Sequence, residues 1–266
     1  MGEGDNAMSD EIEDGSDRYR APALDKGLDI LEALADLEEG LSQAELAKVL
    51  DRKPNEIYRM LDRLVRRGYV ARTSGDRYEL TLKLFELAHR HSPTRRLVSL
   101  ALPFMRRFVQ AAEQACHISV YDRGALSVVA QVDAPGYWSF GLRIGARMSL
   151  VSTGSGHVAL AFSSAEERQF MLKEREIMPR EQWPEDFDAQ LDKVQADGFI
   201  IMPSQQTSGV FNIAVPLLGP QQNVLAVLAC PFLQRLDTDL PPSCEAVLEK
   251  LREMAAQLML ETGGVL

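Results

Sequence analysis

Residues 41–80 constrain the fold more than any other part of the chain, because helix starts, a helix stop and a turn follow one another there in fixed order. Ser42 is a good N-cap, and Glu45 three residues on completes an S-x-x-E capping box ahead of Leu46, Ala47, Val49 and Leu50. This predicts a short helix ending near Asp51. Pro54 suits the first turn of a further helix over 54–67, whose buried face is Ile57, Leu61, Leu64 and Val65, with Gly68 as its stop. Two short strands, 69–72 and 77–80, flank the turn residues Thr73, Ser74, Gly75 and Asp76. Upstream, Leu24, Leu28, Leu31, Leu34 and Leu37 recur at helical spacing over 23–37. A helix, a helix-turn-helix and a hairpin wing in that order make a mostly α DNA-reading domain.

The net charge of −10 argues against nucleic acid only as an average over the chain. The first twenty residues are acidic and rich in Gly, Ser and Asp, and they are expected to form a disordered tail. Between 52 and 77 eight arginines and lysines face only Glu56, Asp62 and Asp76. The helix over 54–67 offers Asn55, Glu56, Tyr58, Arg59 and Arg63 to a major groove, where Asn and Arg make bidentate contacts to adenine and guanine. Gln43 and Lys53 fall at turns that approach the backbone, and Arg72, Ser74 and Arg77 belong to the wing. The bland alternative is a solvated basic face, with Arg66 and Arg67 answering the helix dipole and Asp62, Tyr58 packed on the turn, and Tyr78 packed on the first helix.

Beyond the wing, 82–91 and 97–115 read as helices separated at Ser92-Pro93, the second carrying Pro103. Apolar strands are expected at 117–121, 126–133, 137–144, 199–203, 210–217 and 223–230. Helices are expected at 155–162, 164–173, 184–197 and 242–261, the last closed by Gly263. Hairpin strands with helices segregated between them suggest an α+β domain with a mostly antiparallel sheet. The expected division is a tail over 1–20, a DNA-binding domain over 21–81, a linker helix over 82–97 and a sensor domain over 98–263, which suits a chain of 266 residues. No apolar run is long enough to span a membrane, and the N-terminus lacks a secretory apolar segment. Cys116, Cys230 and Cys244 are an odd, widely spaced set, so a reduced, cytoplasmic protein is expected, with no disulfide, cofactor or metal. His89 and His91 form an H-x-H pair without clustered partners.

An enzyme is the rival class, since Ser155 and His157 pair a potential nucleophile with a potential base. A nucleophile elbow needs glycine two before the serine, and Thr153 stands there. Cys116 and His117 are neighbours on a strand and point to opposite faces. No phosphate loop appears. The small residues Gly154, Ser155 and Gly156 instead feed a helix N-terminus, whose N–H groups and dipole can receive a carboxylate.

The segments ALDKGLDILEAL, LSQAELAKVL, NEIYRMLDRLVRRGYV and RYELTLKLFELA, followed by GARMSLVSTGSGHVALAF, VQADGFIIMPSQQTSGVFNIAVPLL and LAVLACPFL, resemble the IclR family of transcription regulators over roughly 21–262. Ser149 stands where proline is usual, His157 where lysine or arginine is common, and Gln205 or Gln206 where an acid often occurs. The resemblance implies a winged helix-turn-helix domain plus a GAF/profilin-like effector-binding domain that alters operator binding or promoter activity as repressor or activator. It implies dimers through the DNA-binding domain, with Leu24, Leu28 and Leu31 as candidates, and tetramers through the sensor domains. It also implies pocket walls of Tyr137, Phe140, Met148, Asn212, Ala214, Leu228 and Cys230, suited to a small organic acid, aromatic ones included. The expected partners are double-stranded operator DNA, that acid and further copies of the chain, with no membrane. A DNA-binding scaffold without an effector, or an enzyme on a small metabolite, are the alternatives.

Overall fold

The computed structural model describes residues 21–35, 37, 39–90, 92–179, 181–219, 221–236 and 241–262. Two compact units divide the chain, residues 1–90 and 91–266. The expected acidic tail, Gly263 and the His89 and His91 side chains lie outside the described residues.

The first unit contains α1 (Pro22–Ala35), β1 (Leu41–Ser42), α2 (Gln43–Val49), α3 (Pro54–Arg66), β2 (Val70–Arg72), β3 (Arg77–Leu80) and α4 (Lys83–Arg90). The α2 start is the expected capping box: Glu45 N–H donates to Ser42 Oγ at 3.3 Å, and Ser42 N–H donates to Glu45 Oε2 at 2.8 Å. The Ser42 N–H, and after it the Ser42 hydroxyl, bond the charged form and hold the Glu45 carboxyl below its ordinary value. Ile30, Leu34, Leu46, Ala47, Ile57, Leu61, Val70 and Tyr78 close one core. The 57/61 spacing of α3 points inward as expected, but of the α1 leucines only Leu31 and Leu34 turn to the core, with Ile30 beside them and Leu24 and Leu28 exposed. Beyond expectation, β1 pairs with β3 and extends the wing to a three-stranded antiparallel sheet in the order β1-β3-β2.

The second unit is a six-stranded antiparallel sheet between helices. Its elements are α5 (Ser92–Ala112), β4 (Cys116–Asp122), β5 (Ala125–Val132), β6 (Arg147–Met148), α6 (Gly154–Ala161), α7 (Ala165–Lys173), α8 (Phe187–Asp197), β7 (Ile200–Pro203), β8 (Val210–Leu218), β9 (Val224–Leu233) and α9 (Cys244–Thr262), and the strand order is β6-β5-β4-β9-β8-β7. Period-two alternation sorts the side chains into two layers. Cys116, Ile118, Ile213, Val215, Leu228, Cys230 and Phe232 face α5 and α9. Ala214, Val227 and Ala229 share the opposite core with Val158 and Leu160 of α6 and with Leu191 of α8. Complete burial of a residue such as Leu160 stabilises by about 1.5–3 kcal/mol.

Two expectations change. No strand forms over 137–144: Pro135, Gly136 and Gly141 interrupt that stretch, and side chains hold it, with Ala134 N–H donating to Ser139 Oγ at 3.0 Å and Leu142 N–H to Gln131 Oε1 at 3.4 Å. The chain rejoins the sheet at β6, after Gly145 and Ala146 bond to Val128. Helix α5 starts at Ser92 rather than Leu97, because Pro93 in a first turn gives up no needed N–H, and it continues through Pro103. Among the described residues, no helix is long and apolar enough to cross a membrane.

Candidate DNA interface and effector cavity

On α3, burial of Ile57 and Leu61 turns Asn55, Glu56, Tyr58, Arg59 and Arg63 outward. Asn55, Arg59 and Arg63 recur every four residues and form one stripe. Lys53 is the exposed N-cap and makes no side-chain cap bond. Gln43 Nε2 donates to Pro54 O at 3.0 Å, tying the α2 start to the α3 start. Glu56 lies 3.9 Å from Lys26. Ser74 is exposed at the wing tip, where Gly75 and Asp76 take positive φ.

The four arginines expected at the DNA differ in their commitments. Arg59 and Arg63 have no acidic partner among the described residues. Arg72 is exposed and pairs with Asp76 at 2.7 Å. Arg77 is half-buried; its Nε donates to Gly40 O at 2.7 Å and its Nη1 lies 3.5 Å from Glu45. Arg52, another member of the basic stretch, pairs with Asp29 of α1 at 2.7 Å. Arg66 pairs with Asp62 at 2.8 Å, and Tyr78 is buried in the core while Tyr58 is exposed.

A cavity of about 490 Å³ opens in the second unit between the sheet, the start of α6 and the 178–181 and 204–207 segments. Phe140, Met148, Gly154, Ser155, Asn212 and Cys230 of the expected set line it. Tyr137 is 86% exposed and outside the lining, whereas Ala214 and Leu228 are fully buried in the two cores. Cys230 borders the cavity while belonging to the α5/α9 core. Its thiol, like that of Cys116, is pushed up by burial.

Thr153 caps α6: its Oγ1 accepts from Gly156 N–H at 3.0 Å, so that donor is taken. A side-chain carbon on Gly156 would stand 2.2 Å from Leu150 O, so this glycine packs the loop onto the helix. The N–H groups of Gly154 and Ser155 have no acceptor among the described residues, at the positive end of the helix. Asn212 stands beside them, its Cβ 3.1 Å from where a Gly154 Cβ would sit, and its Nδ2 is buried without a partner.

Several lining residues carry no helical or strand signal. Glu181, in an irregular stretch, has a side chain only 5% exposed; it accepts the Ser149 hydroxyl and lies 3.6 Å from Arg175 Nε. The Ser149 hydroxyl also receives Val151 and Ser152 N–H at 3.1 and 3.0 Å. Gln206 reaches Ser152 O at 3.3 Å. Arg147 lines the wall, but Glu176 at 2.6 Å, Asp122 at 3.0 Å and the carbonyls of Asp122 and Arg123 occupy its guanidinium. The Glu176 hydrogen bond, then that of Asp122, hold its charge more firmly than usual. His117 also lines the cavity, and its polar side chain on the inner face of a buried strand was the one available sequence signal.

The Ser155 and His157 pairing does not form. His157 is fully buried, its Nε2 lies 2.8 Å from Val151 O and its ring packs edge-on to Phe187.

The family described as bacterial transcriptional regulator IclR C-terminal matches residues 91–260, and the IclR helix-turn-helix domain matches 23–74. The HTH-type transcriptional regulator KdgR of Escherichia coli (strain K12) is 29% identical over 86% of this chain and 85% of its own. The HTH-type transcriptional regulator BhcR of Paracoccus denitrificans (strain Pd 1222) is 26% identical over 88% and 86%. The crystal structure of an IclR homologue complexed with 4-hydroxybenzoate, from Microbacterium hydrocarbonoxydans, shares the fold with a TM-score of 0.71 at 23% identity, covering 90% of this chain and 98% of that one. With both units matched in order, the chain belongs to the IclR family of bacterial DNA-binding transcriptional regulators.

Proposed function

We propose that this regulator responds to a small organic acid bound in the cavity of its second unit. The observation that carries the proposal is the cluster of uncommitted donors at one end of that cavity: Gly154 N–H, Ser155 N–H and Asn212 Nδ2. Such donors at a helix N-terminus suit a carboxylate. Arg147 is already neutralised by two acids, so helix and amide do the anchoring. Phe140, Leu142 and Met148 supply apolar wall, as small-molecule sites usually have. The homologue bound to 4-hydroxybenzoate is an aromatic-acid binder of the same fold. Bound acid changes DNA affinity only as far as it binds one arrangement of the protein better than another.

On DNA, the Asn55, Arg59 and Arg63 stripe reads base edges, while Lys53, Arg72 and Ser74 hold phosphates, and the protein acts as a dimer or tetramer on a palindromic or repeated operator.

The test is calorimetry of the full chain with benzoate, phenylacetate and hexanoate. Asn212→Ala should weaken binding about tenfold, and Asn212→Asp, which sets a second anion against the carboxylate, should weaken it further. Gly154→Val is a poorer probe, because its new carbon meets Asn212 Cβ at 3.1 Å and Ile200 Cγ2 at 3.2 Å and would wedge α6 off the sheet. Equal affinity for the parent and both Asn212 variants, or no binding of any acid, would overturn the proposal.

A further inference from the structure

His117 stands at the other end of this cavity, and no described residue satisfies it. The side chain is 4% exposed, and neither Nδ1 nor Nε2 has a hydrogen-bond partner among the described residues. Orphaned buried polar atoms are uncommon in folded proteins and point to a missing partner. The sheet register places this orphan relative to the carboxylate cradle. His117 of β4 pairs with Ala229 of β9, while Asn212 of β8 pairs with Pro231 of the same strand. His117 and Asn212 thus stand two strands apart and two residues along, roughly 12 Å at the usual strand spacing and rise. The floor between them is the small side chain of Ala229 and the ring of Pro231, both lining residues. A ligand lying across β9 meets the cradle at one end and His117 at the other.

The chemistry of the far end follows from the imidazole. Burial pushes the His117 pKa down to about 4, so the ring is neutral at neutral pH and presents one N–H donor and one acceptor nitrogen. A second carboxylate or an ammonium can pair with one nitrogen through the matching tautomer, but it buries a charge beside a neutral ring, whereas a hydroxyl adds none. A hydroxyl answers either. We infer that His117 reads a hydroxyl at the far end of the bound acid, so that the effector is a hydroxy acid whose hydroxyl and carboxylate are separated by a ring or several methylene groups. This rests on the acid-binding reading of the cavity. The competing account is a resident water shared with Ser119, whose Oγ also lacks a partner two residues along the same strand face.

Matched acids separate the two. Calorimetry on the full chain compares phenylacetate with 4-hydroxyphenylacetate, and hexanoate with 6-hydroxyhexanoate, with adipate as the diacid. In the parent, at least one hydroxylated member should bind tenfold or more tightly than its unsubstituted partner, and adipate should gain nothing over hexanoate. His117→Phe, which keeps a ring and removes both nitrogens, should erase the hydroxyl advantage while leaving the unsubstituted acid within about twofold of its parent affinity. His117→Gln, which keeps a donor and an acceptor, should restore part of it. Equal affinity within both pairs on the parent overturns the inference whatever the variants do, as does a hydroxyl advantage that survives His117→Phe or falls together with the unsubstituted acid's affinity. Silence from every acid overturns the acid reading and this inference together, whereas binding without a hydroxyl preference overturns this inference alone.

Discussion

Arg59 and Arg77 carry the same charge in one basic stretch, yet their surroundings give them different work. Arg59 projects from the exposed face of α3 without an acidic partner among the described residues, and Arg77 is spent on Gly40 O and Glu45 where β1 enters α2. Arg59→Ala should therefore weaken operator binding by about 1–3 kcal/mol with little change in melting temperature. Arg77→Ala should lower stability by about 1–2 kcal/mol, because it strips a partner from a half-buried carbonyl, and its DNA defect should follow from that loss. Melting curves beside operator titrations check the pair; an Arg77→Ala protein as stable as the parent but weak on DNA would place Arg77 among the phosphate contacts instead. The sequence made the basic stretch plain. It could not show which arginine the fold consumes, because the acceptor for Arg77 lies 37 positions upstream and is delivered by a two-residue strand too short to leave a periodicity.

The same division holds for whole elements. The capping box of Ser42 with Glu45 was legible because it is local chemistry, the serine side chain meeting the N–H three residues on, and Ser164 with Glu167 opens α7 in the same way. The strand expected over 137–144 failed because side-chain bonds from Gln131 and Ser139 outcompete a ladder there. The loop before α6 shows the middle case. Its small residues were legible as the start of a helix with N–H groups to offer, but Gly156 is held against Leu150 of the same loop. A methyl group there meets backbone at 2.2 Å and cannot be relieved by turning a side chain. Gly156→Ala should destabilise the ligand-free protein by about 2–3 kcal/mol, a fall of about 5 °C or more in melting temperature. Ser155→Ala, whose backbone donor survives, should stay within about 0.5 kcal/mol of the parent. Differential scanning calorimetry without ligand reads both, and a Gly156→Ala protein that melts with the parent would show that the loop yields. His117 was only half legible: a polar residue on a buried strand was visible, but its cavity required the register of β4, β9 and β8, which no local pattern encodes.

At the scale of the molecule, the first unit leaves apolar surface that its own core does not use. Ile30 and Leu34 of α1 are buried and Leu31 packs against the same core, while Leu24 and Leu28 are 60% and 47% exposed, one helical turn apart. As the recognition helix proposed above, α3 would read only a few base pairs, so useful selectivity on a long genome would demand a second copy at fixed spacing. On the proposed dimeric reading, a second copy of the chain would satisfy both requirements at once, since covering Leu24 and Leu28 would pair two recognition helices. Leu28→Asp should then shift the protein toward monomer in sedimentation while leaving its melting temperature near the parent value, because the substituted side chain faces outward in the single chain. Its affinity for an isolated half-site should hold, and its affinity for the full operator should fall by tenfold or more as the second half-site stops contributing. A Leu28→Asp protein that still sediments as the parent assembly and binds the full operator with parent affinity would move the dimer contact off α1.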